Sequence, residues 1–224
     1  MSIAYNPKIV TNGLVAAIDA SNPRSYPGTG TTVYDISGNG NHSTINGTVS
    51  FVSNGSASYF DWATQGNSNY IYSNTSFAYV DITIVFLPDF TLSVSDLSTL
   101  VGIVSSGAPN SDKSLRFVGA NGTGPWNVTG RNPGDANDWA YPTATSYYVN
   151  GTVTSTLVSG WNVFGGYRTN QSSYPLTSAY YLGSSGYSQR GFRGRIAACY
   201  LYNRQLTATE QKENFNALRG RFGL

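Results

Sequence analysis

The segment YDISGNGNHST, residues 34–44, places oxygen-bearing side chains at alternate positions: Asp35, Ser37, Asn39 and Asn41. A calcium loop uses such spacing, and His42, the only histidine of the chain, follows directly. Calcium takes about six to eight oxygen ligands, several of them carboxylates. Asp35 is the one carboxylate here, and the additional acids and distal glutamate of an EF-hand loop are missing. The same letters describe an Asx-type turn in which Asp35 and Asn39 hold local backbone N–H groups. The reading is a strand over 31–36 that turns through Gly38–Asn39–Gly40.

Catalytic constellations are sparse. A serine or cysteine nucleophile needs a base, and His42 follows a turn with no motif around a partner serine. It is expected to be a partly exposed hairpin residue. Cys199, the single cysteine, lies in the apolar run IAACYLY and predicts a buried, inert thiol. One thiol makes neither an intramolecular disulfide nor a zinc cluster. Glycoside hydrolysis needs two carboxylates, one to protonate the leaving oxygen and one to attack or to activate water. The two glutamates, Glu210 and Glu213, stand three apart in a helical segment, where they suit the N-terminal dipole. Asp135 and Asp138 are three apart in a loop, and no candidate strand carries Asp-x-Asp. The chain is therefore expected not to be an enzyme.

Recognition chemistry is better represented. GANGTGPWNVTGRNPGDANDWAYP, residues 119–142, has little periodicity and combines aromatic platforms with amide, acid and basic groups. Trp126, Asn127, Arg131, Asp138, Trp139 and Tyr141 are the candidate carbohydrate- or partner-binding residues, with Tyr167, Arg168, Tyr174 and Tyr187 as possible additions to that surface. Long loops of this kind are often functional. Most of the 17 tyrosines must nevertheless serve strand packing or interfaces.

The elements that position these groups are mostly strands. In DITIVFL, Ile82, Ile84 and Phe86 share one face, with Thr83 and Val85 on the other. STLVGIVSS, SLRFVGA, STLVSGWNVFGGY and GRIAACYLYN also read as strands bounded by turn residues. SYYVNGTVTST predicts a hairpin turning at Asn150–Gly151. The one helix lies over 207–218: Thr207 and Glu210 form a capping box, Phe215 and Leu218 face a core, and Gly220 takes the position after the last turn. About a dozen short strands with one terminal helix indicate a β-sandwich.

Charged residues make up 11% of the chain and its net charge is +2, without the basic face of a nucleic-acid binder. Arg190, Arg193 and Arg195, and Arg219 with Arg221, read as surface or interface groups. No apolar run approaches the ~20 residues of a membrane span. MSIAYNPKIVTNG lacks the pattern of a signal peptide, so synthesis in a cytoplasm without export is expected.

GLVAAIDASNPRSYPGTGTTVYDISGNGNHSTING, Gly13 to Gly47, and GRIAACYLYNRQLTATEQKENFNALRGRFGL, Gly194 to Leu224, together resemble the concanavalin A-like, laminin-G-type jelly rolls of tailed-bacteriophage structural proteins. YYVNGT is similar to that family's central hairpin. The resemblance implies an all-β, antiparallel two-sheet jelly-roll sandwich with one short C-terminal helix: an N-terminal arm over 1–12 and a single domain over 13–224. It implies a non-enzymatic virion structural protein, capsid-associated, decorating or in an appendage, located in the virion and meeting other virion proteins as a homo-oligomer. The alternative is a tail-fibre lectin domain that binds a cell-surface glycan, and the remote alternative is a glycoside hydrolase. Laminin-G-type relatives hold calcium at a sandwich rim, which makes Asp35 a candidate ligand together with an acid remote in sequence.

Overall fold

In the run 81–88, Ile82, Ile84 and Phe86 enter one apolar cluster and Val85 enters another on the opposite face. A strand buried on both faces lies between two layers, and the computed structural model supplies both. It describes residues 8–64, 66, 68–89, 98–104, 113–119, 126–131, 147–167, 177–184 and 191–224. The strands in chain order are β1 (Leu14–Asp19), β2 (Thr32–Val33), β3 (Ser43–Asn46), β4 (Ser50–Val52), β5 (Tyr59–Trp62), β6 (Tyr70–Ser73), β7 (Phe77–Ala78) and β8 (Asp81–Pro88). They continue with β9 (Ser98–Val104), β10 (Lys113–Gly119), β11 (Trp126–Arg131), β12 (Tyr147–Val149), β13 (Thr152–Val153), β14 (Asn162–Tyr167), β15 (Thr177–Leu182) and β16 (Gly194–Tyr202). The helix α1 spans Ala208–Phe222.

One sheet has the order β13-β12-β14-β8-β16-β5-β4, with β1 also on β16. The other runs β11-β10-β9-β15-β6-β3-β2, with β7 on β15. All pairings are antiparallel, as the jelly-roll reading expects. Between the sheets Phe60, Trp62, Ile84, Phe86 and Phe164 meet Val33, Ile71, Val128, Tyr180 and Leu182. α1 then packs on β8 and β14, covering the outer face of the first sheet. We call this the helix sheet and its partner the open sheet. The hairpin turns at Asn150 (φ 52°) and Gly151 (φ 74°), the two positive dihedrals of the expected turn.

Three expectations change. The strand over 31–36 shortens to β2, because Tyr34 and Ile36 donate to Ser25 and Ala17 instead of to a ladder. Part of the 119–142 region read as loop is strand β11; its glycine and asparagine content hides the alternation that buries Val128. The helix runs past Gly220 and ends at Gly223, in the left-handed conformation, whose N–H donates to the Arg219 carbonyl. The capping box at Thr207 and Glu210 forms as expected. Gly220 is exposed within the helix, and a Cβ there meets nothing within 4 Å. Gly220→Ala should therefore stabilise the fold by roughly 0.5–1 kcal/mol, seen as a higher Tm. An unchanged or lower Tm contradicts the helix extension.

α1 is held by a polar ladder as well as by Leu218 and Phe222. The Leu206 N–H and the Gln211 amide each donate to Asp81 at 2.9 Å. The Asn214 amide donates to the hydroxyls of Thr83 (2.9 Å) and Tyr202 (3.0 Å). Arg221 pairs bidentately with buried Asp19, so it is a packing anchor and not a free surface group.

Candidate functional site

The segment at 34–44 folds as an edge cap for β1. Asp35 accepts from the N–H groups of Ala17 (2.8 Å), Ser37 (2.8 Å) and Asn41 (3.0 Å), and from the Ser37 hydroxyl (2.8 Å). The Asn39 and Asn41 amides donate to the Leu14 and Val15 carbonyls. β1 pairs only with β16 among the described residues, so these side chains occupy its other edge, where an open ladder invites strand addition. Donors surround both carboxylate oxygens of Asp35, and the described residues contain no group of three or more His, Cys, Asp or Glu fit for a metal. His42 accepts from the Asp35 N–H at Nδ1 (3.1 Å) and stands edge-on to Tyr34, half-buried. That bond commits Nδ1 to the turn.

Other reactive candidates are similarly occupied. Glu210 is tied to Arg204 and Thr207, and these bonds lower its pKa to about 2. Cys199 is buried in the inter-sheet core, and burial raises its thiol well above the ordinary value.

A surface with recognition chemistry lies on the open sheet. β6 buries Ile71 and Ser73, so the period of two turns Tyr70 and Tyr72 outward. β15 buries Tyr180 and Leu182 and turns Tyr181 to the same face. Tyr181 is paired across the ladder with Tyr72, their rings stacked at 5.8 Å. Tyr70 sits edge-on to both, at 5.6 and 5.3 Å. All three are half-buried, and their hydroxyls make no hydrogen bond among the described residues. Burial and then the neighbouring Tyr70 and Tyr72 raise the Tyr181 phenol above its ordinary value, so it stays neutral at physiological pH.

One register row crosses the whole open sheet: Thr32, Thr44, Tyr72, Tyr181, Gly102, Ser114 and Arg131. Gly102 adds no side chain beside Tyr181, which leaves backbone at that position of the face. Arg131 is at the far end, three inter-strand spacings or roughly 14 Å from Tyr181.

Of the residues expected from the sequence, Trp126, Asn127 and Arg131 lie on β11, opposite Gly119, Val118 and Ser114. Trp126 and Arg131 are thus at opposite ends of one edge strand. Asp138, Trp139 and Tyr141 lie outside the described residues, as do Arg168, Tyr174 and Tyr187; Tyr167 ends β14 in the helix sheet. Tyr70, Tyr72 and Tyr181 escaped the sequence reading. The alternation in YIYS was available as a signal for the first two, whereas nothing local distinguishes outward Tyr181 from buried Tyr180.

Among the described residues no helix is long and apolar enough to cross a membrane. No protein-family model matches the chain. No curated protein matches it either. Solved structures do. Trypanosoma rangeli sialidase is 16% identical with a TM-score of 0.55, over 95% of this chain and 33% of its own. The same sialidase as its covalent intermediate with 2,3-difluorosialic acid gives a TM-score of 0.57 at 16% identity, over 95% and 34%. Domain 4 of AbnA, a GH43 extracellular arabinanase from Geobacillus stearothermophilus, in complex with arabinotriose, is 15% identical with a TM-score of 0.52, over 90% of this chain and 97% of its own. The chain spans about a third of the sialidase and nearly all of the arabinanase domain. At these identities the likeness shows the fold, a β-sandwich of two antiparallel sheets. It also corrects the expectation of a virion structural protein: the similar structures come from carbohydrate-active proteins, and they supply no link to a phage. The stretches behind that expectation, 13–47 and 194–224, build the β1–β16 pair, the edge cap and the helix cap. They specify the sandwich and leave its use open.

Proposed function

We propose that the chain is a non-catalytic saccharide-binding module that uses the outward face of the open sheet. The observation that carries this is the contiguous set Tyr70–Tyr72–Tyr181, half-buried, packed ring to ring, with hydroxyls unpartnered among the described residues. A sugar ring presents C–H faces and a rim of hydroxyls. Tyrosine matches both, with a rigid apolar ring that loses little entropy on binding and a hydroxyl that donates and accepts. Sheet positions hold these rings more rigidly than a loop does. Arabinotriose, the ligand of the arabinanase domain with this fold, is the first probe of choice.

The test is titration of the full chain with arabinotriose, cellotriose and 3′-sialyllactose, for the wild type and for Tyr72→Ala/Tyr181→Ala. The double change should weaken binding at least tenfold while the protein still melts cooperatively. An unchanged affinity in the folded double variant, or no binding of any of the three sugars, overturns the proposal.

A further inference from the structure

The helix sheet carries a second polar surface, on the other side of the sandwich from the tyrosines. On β16, Arg195 is the register partner of Asp61 on β5 and of Leu87 on β8. Just before β16, Arg193 pairs with Asp89 at 2.9 Å. Together with Pro88 these groups line a cleft of about 520 Å³. That size is within the usual range for small-molecule sites, about 300–1,000 Å³.

The cleft's bonding capacity is not used up internally. Arg195 Nε stands 3.6 Å from Asp61 Oδ2, an ion pair too long for a hydrogen bond. Neither side chain makes another hydrogen bond among the described residues. The Arg195 guanidinium is instead laid over the Tyr59 ring at 4.9 Å, and Tyr59 packs on Trp161, which packs on Phe222 of α1. An aromatic stack thus fixes the guanidinium while its N–H donors remain unspent. The Asp61 carboxylate beside it offers acceptors only.

The formal charge of two arginines and two aspartates is zero, so the cleft gives a strongly charged ligand no net attraction. It favours a neutral molecule whose groups both donate and accept and whose body is apolar. Hydroxyls on a saccharide ring meet this description: they donate to Asp61, accept from Arg195, and leave C–H faces for Leu87 and Pro88. We infer that this cleft is a second saccharide site, for a neutral sugar unit, which makes the module bivalent across its two faces. The inference stands apart from the tyrosine-face reading, because the two sites share no residue and lie on different sheets.

Isothermal titration of the full chain with arabinotriose and, in parallel, cellotriose decides it. At least one of these sugars should bind at two sites per chain. Asp61→Asn/Arg195→Gln should remove one site or weaken it at least tenfold, and Tyr72→Ala/Tyr181→Ala should affect only the other. If the tyrosine changes do nothing while Asp61→Asn/Arg195→Gln abolishes binding, the cleft is upheld and the tyrosine face fails. If Asp61→Asn/Arg195→Gln does not fold, Arg195→Lys, which keeps the charge but loses the planar fork of donors, takes its place with the same expected loss. Full binding by the folded cleft variant, a single wild-type site that the tyrosine changes alone remove, or no binding of either sugar overturns the inference.

Discussion

Raising the pH from about 4 to about 8 should destabilise this protein, and Asp81→Asn should remove most of that dependence. Asp81 begins β8 under α1 with no exposed surface. Burial raises its pKa from 3.8 to about 8, against the opposing pull of the Leu206 N–H, the Gln211 amide, the Ile82 backbone and Arg204. The sign follows from proton counting. Between those two values the native state keeps a proton that the unfolded chain has released, so stability falls as pH rises through the window. Each pH unit inside it costs up to about 1.4 kcal/mol, giving a loss on the order of several kcal/mol. Glu210 acts in the opposite direction and lower down: its pKa falls from 4.5 to about 2, so its contribution is lost as pH drops between those values. Its ion pair with Arg204 is partly exposed at the surface, so it contributes little. The optimum should be mildly acidic.

Asparagine at position 81 has the same shape and no titration. Its carbonyl accepts from the Leu206 N–H. Its amide can donate to the Gln211 carbonyl oxygen, which is buried without a partner among the described residues, once the Gln211 amide is turned over. Urea unfolding across the window should give a falling midpoint for the wild type and a nearly flat one for Asp81→Asn. Parallel pH profiles would show that Asp81 is not the group responsible.

Gly183→Ala should cost about 3–5 kcal/mol, combining backbone strain with overpacking. Gly183 follows β15 with φ +85°, a left-handed conformation in which a Cβ is strained. The added atom would also collide with the Trp62 indole, 2.6 Å from Cε2 and closer still to Nε1. That ring cannot step aside. It is 1% exposed, its Nε1–H donates to the Asn69 carbonyl at 2.9 Å, and it is edge-on to Phe192 at 5.6 Å. Phe192 is itself anchored, its N–H donating to the Gly183 carbonyl at 2.7 Å. The same chemical change at Gly220 has the opposite expected sign, since that site has helical backbone and open space. A denaturation midpoint for Gly183→Ala equal to that of the wild type would refute this packing.

The contrast between these two glycines shows where sequence reading stops. Local rules reached the capping box, the Asn150–Gly151 turn, the inward face of 82–86 and the Asx turn at Asp35, because each depends on neighbours within a few residues. They misplaced the helix end, because Gly220 and Gly223 both suit a terminus and only the course of the chain selects one. They named Trp126, Asn127 and Arg131 by residue type, and the structure places all three on β11, with Trp126 and Arg131 at its two ends.

By itself the sequence determined a β-sandwich with a capped terminal helix, since alternation with period two and turn chemistry are written residue by residue. It also fixed that His42 is the single histidine and Cys199 the single cysteine. Which sheet faces the helix was decided by tertiary structure. So was the meeting of Tyr72 with Tyr181 and of Asp61 with Arg195. Each pair joins strands more than a hundred residues apart, and register between such strands follows from burying one face of every strand at once. No local segment encodes that condition. The pair identities, and with them both candidate binding surfaces, exist only in the packed fold.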